Sequence, residues 1–196
     1  MRSHPAPPED FHARSLPVNL LEGSFARLHQ TRYDPLYFGK SNSNRFNASA
    51  EEFGVLYVGL DEYCAFIETF GSETGVRLVA EAELKQRSIS AIAVANRLRV
   101  VDLTGDGLAK IGADNRLCDR AYAISQTWSL AIWNHPEQVD GILYRSRHDP
   151  ARFSAAIYDR PNIQQRLSVT STVGCYDKSF QPTLAAILDT YEFGLC

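Results

Sequence analysis

The chain has 196 residues, a length typical of one folded domain rather than two. Its composition, 44% hydrophobic and 22% charged, is close to the average of globular domains and excludes disordered, collagen-like and low-complexity proteins. With 20 Lys and Arg against 23 Asp and Glu the net charge is −3, so we expect no direct binding of nucleic acid through an overall basic field.

The chain contains one Met beside 10 Phe, 9 Tyr and 2 Trp, which predicts a core or a pocket built from aromatic rings. The four cysteines (64, 118, 175 and 196) lie far apart and lack metal-ligand spacing, so we expect reduced thiols and no metal site. No apolar stretch suits a signal peptide or a membrane span. We therefore expect a cytoplasmic protein without membrane contact.

The first 22 residues are rich in Pro and aperiodic, and we expect an N-terminal arm that lies outside the core. A single domain is expected over residues 23–196. Its first strand begins within residues 23–28, and a long loop follows over residues 33–49, where Asn, Ser, Gly and Pro are frequent. Residues 54–60, GVLYVGL, predict a buried strand.

Asp61 is a suitable N-cap for a helix over residues 62–70, which Gly71 ends. Apolar and charged residues alternate over residues 76–84, which predicts a strand with one solvated face. The remaining predicted elements are a strand at 98–103, a helix at 119–134, a strand at 141–144, an apolar segment at 154–158 and a helix at 184–188. Strands and helices do not alternate regularly, so an α+β fold is favoured over a doubly wound sheet.

Two short motifs favour structural interpretations. Residues 104–107, TGDG, follow a strand, but Lys110 stands where a dinucleotide-binding loop needs Gly, so a turn is expected. Ser146, His148 and Asp149 include the residue types of a hydrolytic triad, yet triad members normally meet across a fold, and no GxSxG motif is present.

Several arginines lie near loops and strand ends: Arg27, Arg32, Arg45, Arg145 and Arg147. Arg45 stands beside Phe46 in the Asn- and Ser-rich loop. Guanidinium groups bind phosphate oxygens in pairs and stack on rings, so this combination suits a nucleotide diphosphate.

Glu68 lies inside the predicted helix among apolar residues at 65, 66, 67 and 70. It is either a carboxylate at the edge of the apolar face that reaches solvent, or a partly buried carboxylate that faces a pocket. The second arrangement is typical of a catalytic group. The spacing leaves both interpretations open.

An ordered series of segments resembles the RES-domain family, which is named for an Arg, a Glu and a Ser. The segments are Arg27, RFN at 45–47, GVLY at 54–57, AFIE at 65–68, VDLT at 101–104 and DGILYRSR at 140–147. The resemblance covers roughly residues 24–160 and implies an ADP-ribosyltransferase-like α+β fold with a mixed β-sheet core and flanking helices. It also implies a toxin of a type II toxin–antitoxin system that consumes NAD⁺ and is neutralised by a helix-turn-helix antitoxin.

The resemblance identifies five site residues: the first Arg is Arg27, the second is Arg45, the strand Tyr is Tyr57, the helix Glu is Glu68 and the late Ser is Ser146. Arg32, followed by Tyr33, is an alternative for the first Arg, because some relatives carry Tyr after it. We prefer Arg27 because its distance from Arg45 along the chain fits better.

These residues imply distinct roles in binding NAD⁺. Arg27 and Arg45 would clamp the diphosphate, which is a positioning role. Tyr57 would border the nicotinamide ring, and Phe46 would belong to the same nucleotide pocket. Ser146 would donate a hydrogen bond to the ribose or the amide of the nicotinamide half.

Glu68 is the candidate catalyst of the bond cleavage. Breaking the nicotinamide–ribose bond develops positive charge at C1′, which a carboxylate stabilises. The leading hypothesis is an NAD⁺ glycohydrolase or phosphorylase without a metal or a cofactor beyond NAD⁺ itself, with water or inorganic phosphate as acceptor. The alternatives are an ADP-ribosyltransferase that modifies a cellular protein and a nucleotide-binding module without activity.

Overall fold

A mixed β-sheet forms the centre of the computed structural model, which describes residues 6–72, 75–119 and 122–196. The sheet strands are β1 (Val18–Gln30), β2 (Val55–Gly59), β4 (Arg87–Asp102), β5 (Gly141–Arg145), β6 (Phe153–Tyr158) and β7 (Leu167–Gly174). Two further short strands, β3 (Leu78–Val79) and β8 (Gly194–Leu195), pair in parallel as a separate sheet.

Helices flank the sheet, and the described ones are α1 (Glu62–Phe70), α2 (Glu81–Lys85), α3 (Gly107–Ile111), α4 (Arg116–Asp119), α5 (Tyr122–Trp133) and α6 (Gln181–Tyr191). Short 3₁₀ turns cover Phe11–Ala13 and Gln164–Arg166. None of the helices in the described ranges has the length and apolar character needed to cross a bilayer. The predicted α+β class, with a mixed sheet and flanking helices, is confirmed.

The central sheet closes on itself. Its strand order is β1-β2-β6-β5-β4-β7, and β1 also pairs with β4. The β4–β5 pair is parallel, whereas the other pairs in this sheet are antiparallel. The ring therefore runs through five strands, and β7 lies beside β4 outside it.

The β1–β4 pairing is long, and the β1–β2 pairing is very short. Strands β1 and β4 are in register from Val18↔Val101 to Gln30↔Arg87, with an irregularity between Leu21 and Gly23. Strands β1 and β2 pair only at Ala26↔Gly59. Strand β2 ends at Gly59, and residues 27–30 of β1 do not pair with residues 55–58 of β2, which leaves space between the two strands.

Helix α1 has the predicted bounds and follows β2 directly. The Asp61 side chain accepts a hydrogen bond from the amide of Cys64 at 2.7 Å, which caps the helix. Gly59 allows the helix to approach the strand, because a Cβ atom there would lie 2.6 Å from the amide nitrogen of Ala65. A side chain at residue 59 would push α1 away from the sheet.

The core is rich in aromatic rings, as the composition predicts. Trp128, Phe46 and Tyr158 are among the largest fully buried side chains. Phe53 stacks on Trp133 with ring centroids 4.5 Å apart. These rings fill the space between α5 and the sheet.

The expectation of an N-terminal arm outside the core is wrong for residues 11–22. Phe11 and Leu16 are 4% and 7% exposed and belong to the main core cluster. The Phe11 ring meets Trp128 edge to face, with centroids 5.4 Å apart. Strand β1 begins at Val18 rather than after residue 22, because pairing with β4 extends it towards the N-terminus. Residues 1–5 lie outside the described residues.

Two other predicted elements differ from the structure, and one strand was not predicted. The strand expected at 76–84 is reduced to β3 and is followed by helix α2, in which Leu84 is fully buried. Strand β4 begins eleven residues before the predicted start at residue 98 (98 − 87 = 11). Strand β7 was not predicted, because five of its eight residues are exposed and show no apolar alternation.

The remaining predicted elements are confirmed: the loop at 33–49, the strands at 54–60 and 141–144, the apolar segment at 154–158, which forms β6, and the last helix, which is α6. The turn at 104–107 is also confirmed, since Gly105 has a φ of 52°. Helix α5 lies within the helix predicted at 119–134, while residues 120–121 at its start lie outside the described residues.

The burial of Phe11 predicts that Phe11→Ala lowers the free energy of unfolding by about 3–5 kcal/mol, since it removes a ring packed in the core. His12→Ala is the matched control, because His12 is exposed and its replacement should change stability by less than ~0.5 kcal/mol. Urea denaturation of both variants measures the difference. Equal stabilities would show that the segment does not contribute to the core.

Candidate active site

A cavity of about 510 Å³ opens where β1 and β2 separate, and α1 forms another wall of it. Four of the predicted site residues line this cavity: Arg27 on β1, Arg45 in the loop before β2, Tyr57 on β2 and Glu68 on α1. The fold therefore brings together residues that are up to 41 positions apart in the sequence (68 − 27 = 41). Ser146 and Phe46 lie outside the lining.

Glu68 is half-buried and faces the cavity. Its Oε1 accepts a hydrogen bond from Ser146 Oγ at 2.6 Å. The helix places the carboxylate on the side of α1 that borders the cavity, while Cys64 and Ile67 on the same helix are buried. Of the two interpretations of Glu68, the structure agrees with the partly buried carboxylate that faces a pocket.

The Ser146 side chain contacts Glu68 and does not line the cavity. The residue is 2% exposed, and its Oγ accepts hydrogen bonds from the amides of His148 and Asp149, both at 3.1 Å. A hydroxyl can donate one hydrogen bond and accept two. The bond to Glu68 uses the proton and the two amides use the lone pairs, so the Ser146 hydroxyl makes all the hydrogen bonds that it can. In this structure Glu68 and the two amides occupy the hydroxyl, and the expected hydrogen bond from Ser146 to a ligand stays a prediction. Ser146 fixes the orientation of the Glu68 carboxylate.

The Ser146, His148 and Asp149 side chains do not form a hydrolytic triad. The Asp149 carboxylate accepts hydrogen bonds from the Tyr191 hydroxyl at 2.8 Å and from the Ala151 amide at 3.0 Å. The three residues instead form a turn that is anchored to α6 through Tyr191.

Tyr57 presents its ring to the cavity and uses its hydroxyl to hold the long loop before β2. The hydroxyl donates to Asn47 Oδ1 and accepts from the Phe46 amide, both at 2.9 Å. Burial raises the pKa of Tyr57 above its ordinary value, so the hydroxyl stays protonated. The loop that carries Arg45 is thereby fixed to β2.

Phe46 is placed differently from the prediction. It is 0% exposed, and its ring packs edge to face against Tyr144 with centroids 4.9 Å apart. A fully buried ring cannot contact a ligand without a rearrangement. The structure places Phe46 in the core beneath the cavity, and its expected contact with a substrate stays a prediction.

Arg27 and Arg32 have contrasting environments. Arg27 lines the cavity, and its guanidinium donates to the Pro35 carbonyl. Burial lowers its pKa to about 10, an effect that Asp34 partly offsets, so the side chain remains a cation at neutral pH. Arg32 is exposed and lies over the Tyr33 ring outside the cavity lining. The geometry favours Arg27 as the first Arg of the motif.

The lining also includes residues that were not among the predicted site residues, such as Arg87, Tyr144, Arg147 and His148. Arg147 and His148 directly follow Ser146, so their position in the DGILYRSRHDP segment was an available signal. Arg87 was not identifiable, because the predicted strand began after it. With Arg27 and Arg45, four arginines and one carboxylate line the cavity. Arg87 is paired with Glu83 at 2.6 Å, but the other three arginines still outnumber the carboxylate, which favours an anionic ligand in a protein of net charge −3.

His148 is half-buried at the edge of this charged cavity. Burial lowers its pKa below the ordinary value of 6.5, and the positive charges of Arg147 and Arg45 act in the same direction. Glu68 opposes them, because its negative charge favours the imidazolium. Within the described ranges, no group of three or more His, Cys, Asp or Glu side chains is arranged to hold a metal ion.

The charges around His148 predict that two variants shift its pKa in opposite directions. Arg147→Gln removes a positive neighbour, so the pKa of His148 should rise, whereas Glu68→Gln removes a negative one, so it should fall. NMR titration of the imidazole signals measures both shifts. His12, which is exposed and lies outside the cavity lining, is the internal reference. Shifts of the same sign in both variants would contradict this arrangement.

Comparisons with known proteins agree with these motifs. The family model described as the RES domain matches residues 24–176. The chain is 31% identical over 112 residues to a protein of Sinorhizobium fredii described as "Probable toxin y4kH", an alignment that covers 57% of this chain and 84% of that protein.

Among solved structures, the fold is similar to a chain in the crystal structure of the M. tuberculosis MbcT–MbcA toxin–antitoxin complex. The TM-score is 0.66 at 19% identity, and the match covers 85% of this chain and 92% of that chain. The family match extends over most of the chain, from β1 to beyond β7, and includes all five motif residues. The chain belongs to the RES-domain family.

Proposed function

We propose that this protein is a toxin that consumes NAD⁺ by cleaving its nicotinamide–ribose bond. The observation that carries the proposal is the Glu68 carboxylate, held by Ser146 and facing a cavity with four arginines. The description of the S. fredii relative as a probable toxin and the toxin–antitoxin complex of the similar fold support the toxin part of this proposal.

The arginines explain how a dinucleotide would bind. NAD⁺ carries two adjacent phosphates, and guanidinium groups match phosphate oxygens in paired hydrogen bonds. Arg27 on β1 and Arg45 on the loop before β2 would clamp the diphosphate from two elements. The Tyr57 ring, which faces the cavity while its hydroxyl is occupied, offers a flat surface beside the nicotinamide.

Glu68 would act on the sugar. When the C1′–N bond breaks, its electron pair leaves with neutral nicotinamide, and positive charge develops over C1′ and the ring oxygen. A fixed carboxylate stabilises this charge and accepts a hydrogen bond from a ribose hydroxyl. The hydrogen bond from Ser146 keeps Glu68 in place before substrate binds, so that little reorganisation is needed during the reaction.

The acceptor then forms a bond to C1′. Water gives ADP-ribose and makes the protein a glycohydrolase, whereas inorganic phosphate gives ADP-ribose-1″-phosphate and makes it a phosphorylase. The cleavage requires no metal and no cofactor other than NAD⁺ as substrate. Chromatography of the products with and without phosphate distinguishes the two acceptors.

The role of Glu68 predicts that Glu68→Gln reduces nicotinamide release from NAD⁺ by at least ~10²-fold, because the neutral amide cannot stabilise the developing charge. The amide retains the shape of the side chain and can still accept from Ser146. Glu62→Gln is the matched control on the exposed side of the same helix and should keep full activity. Equal rates for wild type and Glu68→Gln would contradict the assignment.

The fate of the ADP-ribose separates NAD⁺ cleavage from protein modification. With NAD⁺ labelled in the adenosine half, hydrolysis or phosphorolysis leaves the label in solution. Transfer to a cellular protein leaves the label on that protein, and this result would favour an ADP-ribosyltransferase instead. Binding of NAD⁺ without turnover would favour a binding module.

We further propose that the protein acts in the cytoplasm and that an antitoxin of the helix-turn-helix type covers the cavity. Two rings at the cavity, Tyr37 and Tyr122, are 55% and 41% exposed. Exposed aromatic side chains at a cavity mouth are typical of surfaces that a partner covers.

Expression of the wild-type chain should arrest growth, and co-expression of the cognate antitoxin should restore it. Glu68→Gln should be harmless while still binding the antitoxin, since the fold and the cavity mouth are unchanged. Viable counts and co-purification measure the two properties. Harmless expression of the wild type at normal protein levels would contradict the toxin proposal even if the NAD⁺ chemistry is correct.

A further inference from the structure

The cavity contains two groups that can accept a proton at neutral pH. Its charged and phenolic lining residues are Arg27, Arg45, Arg87, Arg147, Tyr37, Tyr57, Tyr122, Tyr144, Glu68 and His148. Arginine and tyrosine side chains in general keep their protons at neutral pH, and burial raises the pKa of Tyr57 and Tyr144 further. Among the described lining residues, this leaves Glu68 and His148.

His148 has a fixed place beside Glu68. Its amide donates to Ser146 Oγ, the same hydroxyl that donates to Glu68. Its ring packs against the end of α1, where a Cβ atom at residue 71 would lie 3.1 Å from His148 Cγ. Gly71 therefore provides room for the imidazole, and the end of α1 sets the positions of both proton acceptors.

The imidazole is available to a ligand. Its carboxylate neighbour Glu68 is bound to Ser146, whereas neither ring nitrogen of His148 has a hydrogen-bond partner among the described residues. The side chain is half-buried and borders the cavity. A ring nitrogen in this position can accept a proton from a molecule that enters beside the sugar.

We propose that His148 is the general base that takes the proton of the acceptor in NAD⁺ cleavage, while Glu68 acts on the sugar. This inference rests on the proposed function. The C1′–N bond breaks with its electron pair going to nicotinamide, and the oxygen of water forms the new bond to C1′. The proton of that water passes to a ring nitrogen of His148, which later releases it to solvent.

The charges around His148 suit this role. It faces Glu68 from α1, Arg147 from its own loop and Arg45 from the loop before β2. Burial and the two arginines keep the pKa of the imidazole below 6.5, so the ring is neutral at physiological pH. The negative charge of Glu68 stabilises the imidazolium that forms when the proton is transferred.

The test compares a nucleophile that must lose a proton with one that carries none. We expect His148→Gln to hydrolyse NAD⁺ at least ~10²-fold more slowly than wild type, because general-base catalysis typically contributes this much. Azide, an anion without a proton to remove, should restore nicotinamide release and give ADP-ribosyl azide. Glu68→Gln should not be restored by azide. His12→Gln, the same substitution at an exposed histidine outside the cavity, should match wild type.

The outcomes separate this inference from the proposed function. Absence of NAD⁺ turnover by wild type would overturn both. Wild-type turnover with an equally active His148→Gln would overturn the role of His148 alone. Loss of activity in His148→Gln that azide does not restore would also overturn it, since this is the result expected of a structural role.

The wild-type protein provides a second test that does not depend on the folding of a variant. Hydrolysis, measured as kcat/KM, should fall as the pH is lowered through the pKa of His148, because protonated imidazole cannot act as a base. The azide reaction, compared at the same concentration of azide ion at each pH, should not show this fall over the same range. Identical pH profiles for the two reactions would overturn the proposal.

Discussion

The long antiparallel pairing of β1 with β4 is the constraint on which the rest of the structure depends. It closes the sheet into a ring, from Val18↔Val101 to Gln30↔Arg87. Because β1 follows β4 over this length, it meets β2 only at Ala26↔Gly59 and then separates from it. The candidate site occupies the resulting gap, so the cavity follows from the way in which the sheet closes.

A single hydroxyl connects the chemistry of this cavity to the fold. Ser146 Oγ joins Glu68 on α1 to the amides of His148 and Asp149 in the loop after β5. Its hydrogen bond to the carboxylate is charge-assisted and is typically worth about 1.5–3 kcal/mol. The same contact that orients the carboxylate also places the imidazole, which explains why a buried Ser belongs to the site without facing a ligand.

Sequence signals were reliable where they are local. The N-cap at Asp61 and the stop at Gly71 predicted the bounds of α1, because a helix end is set by residues within one turn of it. The buried apolar strands β2 and β5 were also predicted, and the segment that forms β6 was identified as apolar. The exposed strand β7 and the first part of β4 were not, since their strand conformation is stabilised by pairing with distant segments. The same cause places Phe11 in the core, where its partner Trp128 is 117 residues away (128 − 11 = 117).

The sequence by itself determined the family, the α+β class and four residues that line the cavity: Arg27, Arg45, Tyr57 and Glu68. Tertiary structure alone decided that Phe46 is buried, that Ser146 holds Glu68 and that His148 borders the cavity. The physical reason is the range of the interactions. Residue type and order specify which groups are present, whereas burial and hydrogen bonding depend on distant partners. Glu68 and Ser146 are 78 residues apart and meet because β2 and β5 both pair with β6.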